Sequence, residues 1–383
     1  MASRIGNRKP EPYKTMNQVP DGTTVELIGT FDGHFHTRNK KTRLLQLTLP
    51  DLLHEFGGGV AMVNFKPPVT SIPLALEFRE EFFAEVPAGV EFDVVFTYYL
   101  TDDANLDEIV EGYDRKLWGA CKYMPCNGST NTAGALTSFV KGYPIYERME
   151  KKGIPLLIHA ETVGEYIDPF DAPKIFINEE MPALRKRFPN LRVCLEHITD
   201  ATAADYMEKA ERDNEPTWAT LTPQHFVYSR SRIFQRGSIT DGSFVRGSNP
   251  SFVCWPLLQR EEPHRQILLK LVAIGNKLIG LGTDRAPHNF DEVKACEDGC
   301  GGCYPGQKAL SIYAMGFEEI ESFEHFQNFA CRNIPCGLYR LPPGKKKVRL
   351  TKCATHPSIM PERIGNVVPI LHGEKIPWLE EAL

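Results

Sequence analysis

The sequence has no long apolar run. Nowhere in its 383 residues does a stretch approach the ~20 apolar residues that a membrane-spanning helix requires. Residues 1–21 are polar and contain three prolines, so they lack the apolar core of a secretory signal and the Arg- and Ser-rich amphipathic pattern of a transit peptide. We therefore expect a cytoplasmic protein that has no membrane partner.

Cysteine is also scarce. Ten cysteines in 383 residues are too few for a disulfide scaffold. Cys121, Cys194 and Cys254 occur inside apolar, strand-like runs, where cysteine behaves as a small buried hydrophobic residue. This usage favours a reducing compartment.

An excess of positive charge is missing as well. The chain has 44 Lys and Arg against 49 Asp and Glu, a formal net charge of −5. It therefore lacks the excess of basic residues that is typical of proteins that bind nucleic acid. The one compact basic run, Lys345 to Lys347 with Arg349, is typical of a solvated loop. We expect no nucleic-acid partner.

The sequence does contain short apolar runs that alternate with amphipathic stretches. Candidate strands cover residues 24–36, 60–64, 91–98, 117–123, 155–159, 192–197, 216–220 and 277–283. Candidate helices between them cover residues 74–83, 144–152, 202–212 and 265–274. This alternation predicts an α/β fold, a closed parallel (β/α)8 TIM barrel. An open doubly wound sheet is the alternative, but no Gly-x-Gly-x-x-Gly turn follows the first strand.

The domain prediction is a single barrel over residues 1–383. It has an N-terminal lead-in at about residues 1–22 and a C-terminal extension at about residues 340–383. Two long connections that each follow a strand, 125–139 and 286–306, fall on the face where barrel enzymes keep their active sites.

Chemically active side chains recur where the candidate strands end. His34 and His36 lie two residues apart, so they point to the same side of a strand, and His159 and His197 each end an apolar run. Asp284 ends the last strand. Four imidazoles and a carboxylate at the mouth of one barrel would be costly as packing residues, but they suit Zn²⁺. The pattern predicts a metal site.

These residues and their surroundings resemble a known family. The His-x-His pair, the two single histidines and the aspartate are similar to the binuclear amidohydrolase superfamily. Four strings resemble the monofunctional bacterial-type dihydroorotases within it, over about residues 32–339. They are Asn64-Phe65-Lys66-Pro67-Pro68-Val69-Thr70, Glu196-His197-Ile198-Thr199, Thr222-Pro223-Gln224-His225 and Gly282-Thr283-Asp284-Arg285-Ala286-Pro287-His288.

The resemblance implies a barrel of the metal-dependent hydrolase type that holds two Zn²⁺ ions. His34, His36 and Asp284 would bind the first ion, and His159 and His197 the second. Lys122, carboxylated by CO₂, would bridge both ions together with a hydroxide. Two cations about 3.5–4 Å apart need such a bridging anion.

The resemblance also implies a substrate pocket. Arg38, Asn64 and His288 would surround a substrate carboxylate, because guanidinium and amide groups donate parallel hydrogen bonds to it. The backbone at Trp255 and Gly301 would add contacts. A loop carrying Ser129 and Thr130 would reach over the substrate; the family commonly has threonine at the first position, so Ser129 is a small departure.

The activity implied is the reversible cyclisation of N-carbamoyl-L-aspartate to L-dihydroorotate and water, in de novo pyrimidine (UMP) biosynthesis. Asp284 would be the catalytic proton shuttle. The partners implied are this small-molecule substrate and a second copy of the chain, since the family suggests a homodimer.

Three alternatives stay open on the sequence alone. Another cyclic amidase of the superfamily, such as a hydantoinase, dihydropyrimidinase or allantoinase, would share the metal ligands but not the carboxylate pocket. An inactive relative that serves as a binding protein would usually have lost metal ligands. Cys296, Cys300 and Cys303 suggest a structural zinc, but no fourth ligand is nearby, so loop architecture is favoured.

Overall fold

The fold is built on eight parallel strands in a computed structural model that describes residues 19–38, 40–129, 131–236, 245–294 and 301–383. Within these described ranges the strands in chain order are β1 Thr24–Ile28, β2 Phe31–His36, β3 Gly58–Met62, β4 Asp93–Tyr99, β5 Ala120–Tyr123, β6 Leu156–His159, β7 Val193–Glu196, β8 Thr217–Leu221, β9 Gln235–Arg236, β10 Val245–Arg246, β11 Ile279–Leu281, β12 Lys347–Lys352, β13 Ser358–Ile359, β14 Lys375–Ile376 and β15 Trp378–Ala382. Strands β2 to β8 and then β11 form the parallel sheet, each hydrogen-bonded to the next.

Helices lie between most of these strands. They are α1 Leu44–Glu55, α2 Ile72–Glu85, α3 Leu106–Asp114, α4 Tyr143–Lys152, α5 Ala172–Arg187, α6 Ala201–Arg212, α7 Pro223–Val227, α8 Gln266–Ala273, α9 Ala309–Glu319 and α10 Phe326–Cys331. Their ends follow local chemistry. The Asp200 side chain caps α6 by accepting from the N–H of Ala203 at 2.8 Å, and Gly153, at φ 76°, ends α4 in the left-handed region.

The parallel sheet closes on itself where β2 meets the residues just after β11. The N–H of Asp284 donates to the carbonyl of His34 at 2.8 Å, and the N–H of His36 donates to the carbonyl of Arg285 at 3.0 Å. The prediction of a closed (β/α)8 barrel rather than an open doubly wound sheet is therefore confirmed.

Side chains along the barrel strands point alternately into the barrel interior and outward to the surrounding helices. Ala120, Leu157 and Cys194 belong to an apolar cluster in the lower barrel, whereas Cys121 and Leu195 pack with the helices. The next inward positions on β5, β6 and β7 are Lys122, His159 and Glu196. Short apolar strands thus carry polar side chains to the mouth.

Strand β2 breaks this alternation. Phe31 belongs to the inner cluster but Phe35 to the outer one, and the pairing with β3 shifts register between Asp32 and Phe35. This bulge changes which face the later residues occupy. It places Phe31 inside at the bottom while His34 and His36 also line the pocket at the top.

The single strand predicted over residues 24–36 is wrong, because two strands occupy it. Gly29 separates them at φ 85°, where a Cβ would lie 2.7 Å from the carbonyl oxygen of Gly344. Before this turn, β1 pairs antiparallel with β12, and β12 pairs with β15. The turn therefore connects β1, in a small outer sheet formed by β1, β12 and β15, to β2, the first strand of the barrel.

The predicted C-terminal extension forms part of this outer sheet and continues beside the barrel mouth. Met360, Ile370 and Leu371 belong to one buried cluster with Phe252 and Cys254 from the loops that flank the mouth. Most of the predicted lead-in lies outside the described residues. A single domain over residues 1–383 stays a prediction.

Among the helices of the described ranges, none combines the length and the apolar character needed to cross a membrane.

A buried ion pair ties the outer sheet to α9, and we expect its loss to destabilise the fold. Lys352 Nζ donates to the two carboxylate oxygens of Glu318 at 2.7 and 2.6 Å, and both side chains are at most 7% exposed. Lys352→Met leaves Glu318 buried without its cation, so the free energy of unfolding should fall by about 3–5 kcal/mol in urea denaturation.

The matched control is Arg349→Met on the same strand. Arg349 pairs with Glu26 at 2.8 Å, but both side chains are exposed. Solvent screens this pair, so the urea midpoint should hardly move. Equal losses in the two variants would contradict the assignment of the Lys352 pair as a structural element.

Candidate metal and substrate site

One pocket at the carboxyl ends of the barrel strands gathers the predicted site residues. Every predicted metal ligand and every predicted substrate contact that the structure describes lines it: His34, His36, Arg38, Asn64, Lys122, Ser129, His159, His197, Trp255, Asp284, His288 and Gly301. Thr130 lies outside the described residues. Met124, Asn131, Ala286 and Gly302 complete the lining.

Asp284 lies against both histidines of β2. Its Oδ1 is 2.9 Å from Nε2 of His36 and 3.4 Å from Nε2 of His34, and those two nitrogens are 3.3 Å apart. Burial opposes ionisation of Asp284, but the hydrogen bond with His36 and the electrostatic interactions with His34, His36 and Lys122 together outweigh it and lower the pKa of Asp284 to about 2. Burial lowers the pKa of His36 to about 4. At neutral pH the carboxylate is charged and the His36 imidazole neutral, the forms in which both bind metal.

Two of the predicted ligands have a strained backbone conformation. His197 has φ 45° and Asp284 has φ 47°, values that non-glycine residues rarely adopt. His197 follows the inward Glu196 directly, so there the turn redirects into the pocket a side chain that alternation would have aimed outward. Asp284 instead continues the inward alternation of Gly280 and Gly282, since Ile279 and Leu281 pack with the helices. Strain of this kind costs about 1–3 kcal/mol and persists where the surroundings fix it.

Glu196 is a site residue that the sequence analysis missed. It is 1% exposed, its Oε2 accepts a very short hydrogen bond from Nζ of Lys122, and its Oε1 lies 3.0 Å from Nδ1 of His34. The signal was present, since Glu196 is two residues after the inward Cys194. The sequence analysis assigned the neighbouring His197 as the metal ligand instead, because imidazole is a more common zinc ligand than a glutamate carboxylate.

Each of three histidines has a polar partner on its ring. Besides Glu196 at His34, Asn64 Oδ1 is 2.8 Å from Nδ1 of His36, and Glu161 Oε2 is 2.5 Å from Nε2 of His159. Such partners fix the orientation and tautomer of metal-binding imidazoles. Glu161 was also missed; only its two-residue spacing from His159 could have indicated it.

The donor set fits metal ions. His34, His36 and Asp284 form one group whose ligand atoms lie within 4.8 Å of one another, and His34, Glu196 and His197 form a second. The ring of His197 is 4.7 Å from that of His159 and 5.2 Å from that of His34. Its buried Nδ1 has no hydrogen-bond partner among the described residues. An orphaned imidazole nitrogen in this cluster suits a cation.

A cationic end of the pocket adjoins this cluster. Arg38 is 7% exposed; its Nε donates to the carbonyl of Pro287 at 3.0 Å, and its Nη2 is 3.2 Å from Nε2 of His288. Burial and then the charge of Arg38 hold the pKa of His288 well below its usual range. His288 is therefore neutral at pH 7, and the guanidinium is the charge that a substrate anion meets.

A buried lysine holds the pocket wall next to His288. Lys294 Nζ donates to the carbonyls of Val253 at 2.8 Å and Gly302 at 2.6 Å, which fixes the two backbone segments next to Trp255 and Gly301. A Cβ at Gly301 would lie 2.2 Å from Cδ1 of Trp255, so only glycine permits this close approach.

The loop after β5 covers the remaining side. The N–H of Ser129 donates to Oγ1 of Thr132 at 3.1 Å, and Thr132 Oγ1 donates back to the carbonyl of Ser129 at 2.7 Å. Asn131 is in the left-handed region at φ 62°. This compact turn presents Ser129 and Asn131 to the pocket.

The cysteine loop is described only at its end. Cys303 is buried, and its Sγ donates to the carbonyl of Ser251 at 3.2 Å. Cys296 and Cys300 lie outside the described residues, so the preference for loop architecture over a structural zinc stays a prediction.

Comparison with known proteins places the chain in a family. No protein-family model matches it. A dihydroorotase from Erwinia tasmaniensis is 38% identical over 353 residues, 91% of this chain and 95% of that protein. A dihydroorotase from Picosynechococcus sp. is 35% identical over 355 residues, 92% of this chain and 97% of that protein. The chain belongs to the dihydroorotase family.

Solved structures agree with this assignment. A dihydroorotase from Campylobacter jejuni is 25% identical and superposes on this dihydroorotase-family chain with a TM-score of 0.79, covering 95% of this chain and 99% of that one. An L-hydantoinase from Arthrobacter aurescens gives a TM-score of 0.73 at 15% identity, covering 93% and 82%. At that identity the likeness to the hydantoinase concerns the fold alone.

We expect this dihydroorotase-family site to bind Zn²⁺ and to gain stability from it. Protein freed of metal by a chelator should melt at a lower temperature and recover when Zn²⁺ is added, because a ligand at 100 times its Kd stabilises a fold by about 2.7 kcal/mol. His34→Ala should lose most of the recovery in differential scanning fluorimetry. His356→Ala, at an exposed histidine, should keep it. The same Zn²⁺ response in both variants would argue against the site.

Proposed function

We propose that this chain is a dihydroorotase that interconverts N-carbamoyl-L-aspartate and L-dihydroorotate plus water, as a step of pyrimidine biosynthesis. The observation that carries the proposal is a metal-ligand cluster beside a buried guanidinium in one pocket, in a chain at least 33% identical to named dihydroorotases over most of its length. A ring amide with an attached carboxylate requires both features in one site.

The residues that would hold two Zn²⁺ ions form two groups, one for each ion. We assign His34, His36 and Asp284 to one ion and His159 and His197 to the other. Lys122, carboxylated at Nζ, would bridge them; its side chain is 1% exposed and lines the same pocket as both groups, which supports this assignment. When bound, ions of this kind make water nucleophilic at neutral pH and polarise the substrate carbonyl.

Asp284 is the residue assigned to proton transfer. Its low pKa keeps it ionised at neutral pH, and Oδ1 lies against both imidazoles of β2. We assign to Oδ2 the proton that the attacking water loses: Oδ2 accepts it as the C–O bond forms and donates it to the ring nitrogen as the C–N bond breaks. In the biosynthetic direction Oδ2 removes the proton from the attacking nitrogen as the C–N bond forms and donates it to the departing oxygen, which leaves as water.

Arg38, Asn64 and His288 would orient the substrate by its carboxylate. Arg38 is already fixed by the carbonyl of Pro287, so its outer nitrogens need little reorganisation to form charge-assisted bonds. The backbone at Trp255 and Gly301 would add further contacts to the substrate. Ser129 and Thr130 would close over the substrate and exclude water.

The assembly and location of the enzyme belong to the same proposal. The family resemblance supports a homodimer, which gel filtration with light scattering tests. The low cysteine content supports a reducing compartment, which we propose is the cytoplasm.

We expect purified, Zn²⁺-loaded protein to hydrolyse dihydroorotate, measured as loss of its ultraviolet absorbance, and to leave hydantoin and allantoin unchanged. Arg38→Met should lower kcat/KM for dihydroorotate roughly 100-fold or more, since loss of one partner of a buried charged pair costs about 2–5 kcal/mol. Arg148→Met, at an exposed arginine of α4, is the control and should match wild type. Preferred turnover of hydantoin would favour the rival cyclic amidase, and no turnover of any of the three would favour an inactive relative.

Asp284→Ala should separate metal binding from proton transfer. We expect metal analysis to find about two zinc ions per chain in both wild type and variant, while turnover falls by about 10²–10⁴-fold, the usual contribution of a general acid–base group. Near-normal turnover would remove the shuttle role. A single tightly bound zinc in the wild type would argue against Lys122 as a bridge.

A further inference from the structure

A buried cluster of charges lies behind Asp284, and the mechanism above does not use it. We call Arg285, Asp32, Glu55 and Thr283 the Arg285 cluster. All four side chains are at most 2% exposed, and none of them lines the pocket. One cation and two carboxylates out of contact with water call for an explanation, because burying charge is costly.

Arg285 connects three parts of the fold. Its Nη2 donates to Oε2 of Glu55, the last residue of α1, at 2.6 Å, and its Nε lies 3.6 Å from Oδ2 of Asp32 on β2. Its guanidinium stands over the ring of Phe56 at 5.3 Å. The second oxygen of Glu55 accepts from the N–H of Leu310 at 2.9 Å. The guanidinium is therefore held on several sides.

Asp32 carries the connection to the metal ligands. Its Oδ1 accepts from the N–H of His34 at 3.1 Å and from the N–H of Thr283 at 2.8 Å, and its Oδ2 accepts from Oγ1 of Thr283 at 2.6 Å. One carboxylate thus holds the backbone of a ligand on β2 and the residue before Asp284. The N–H of Arg285 also donates to Oγ1 of Thr283 at 3.1 Å.

Asp284 is therefore flanked on both sides by members of the Arg285 cluster. Its own backbone is in the left-handed region at φ 47°, a conformation that relaxes unless its neighbours prevent it. From this geometry we infer that Arg285 is a positioning residue for the reaction: through Asp32 and Thr283 it holds the strained Asp284 carboxylate against His34 and His36. The inference rests on the proposed function.

The charge balance explains why arginine is needed here. Without Arg285, two buried carboxylates face each other's field with no cation, and Asp32 no longer has a fixed position from which to hold Thr283 and His34. A planar guanidinium reaches both carboxylates at once, which an ammonium cannot do with the same geometry.

The test compares Arg285→Met with Lys352→Met, which removes a cation from the similarly buried Glu318 pair in the outer sheet. Both variants should lose stability. Only Arg285→Met should lower kcat for dihydroorotate, by about 10–100-fold, with KM within about twofold of wild type, because supports of metal ligands typically have effects of that size. Arg285→Lys should recover part of kcat.

A second readout does not depend on turnover. In Co²⁺-substituted protein, Arg285→Met should shift the visible absorption of the metal and release it to a competing chelator about 10–100-fold more readily, while Lys352→Met should leave both unchanged. If Arg285→Met fails to fold, Arg285→Met/Glu55→Gln removes the opposing charge as well and should regain stability but not kcat.

Two results would overturn the inference: kcat and cobalt spectra that match between Arg285→Met and Lys352→Met, or full recovery of kcat in the double variant. If wild type does not turn over dihydroorotate, the proposed function fails, and the cobalt comparison still decides whether Arg285 positions the metal ligands.

Discussion

The carboxylate of Asp32 joins the first and last strands of the barrel, and the three ligands assigned to one metal ion lie on the segments that this junction holds together. It accepts from the backbone of His34 on one strand and from Thr283 beside the other, and Thr283 lies 251 positions after Asp32 in the chain. The mouth of a barrel is defined only when its sheet has closed. Because the closing bonds run through the ligand segments themselves, the event that completes the fold also assembles the donor set.

Much of the site could be predicted because strand chemistry is local. Apolar runs ending in His159 or Asp284 indicate parallel strands whose ends meet, and alternation from Ala120 leads to Lys122. The choice of Lys122 still required a family resemblance, since nothing local distinguishes it from other lysines. Glu196 obeyed the same alternation and was overlooked because its neighbour had the more familiar chemistry.

The remainder depends on distant partners. The turn at Gly29 joins a strand paired with β12 to a strand paired with β3, and both partners are distant in sequence, so residues 24–36 alone predict one strand where two occur. The pairing of Arg285 with Glu55 joins positions 230 residues apart, and no periodicity indicates it. Such contacts follow from closure of the fold, and they hold the strained φ angle of Asp284 in place.

The outer sheet has a consequence for how the chain is made. Thr24 pairs with Thr351, so β1 leaves the ribosome long before its partner strand exists. Until then its apolar residues, Leu27 among them, have no cover, and exposed strand edges of this kind invite association with other chains. The outer sheet can therefore form only after the C-terminal strands β12 and β15 have been synthesised.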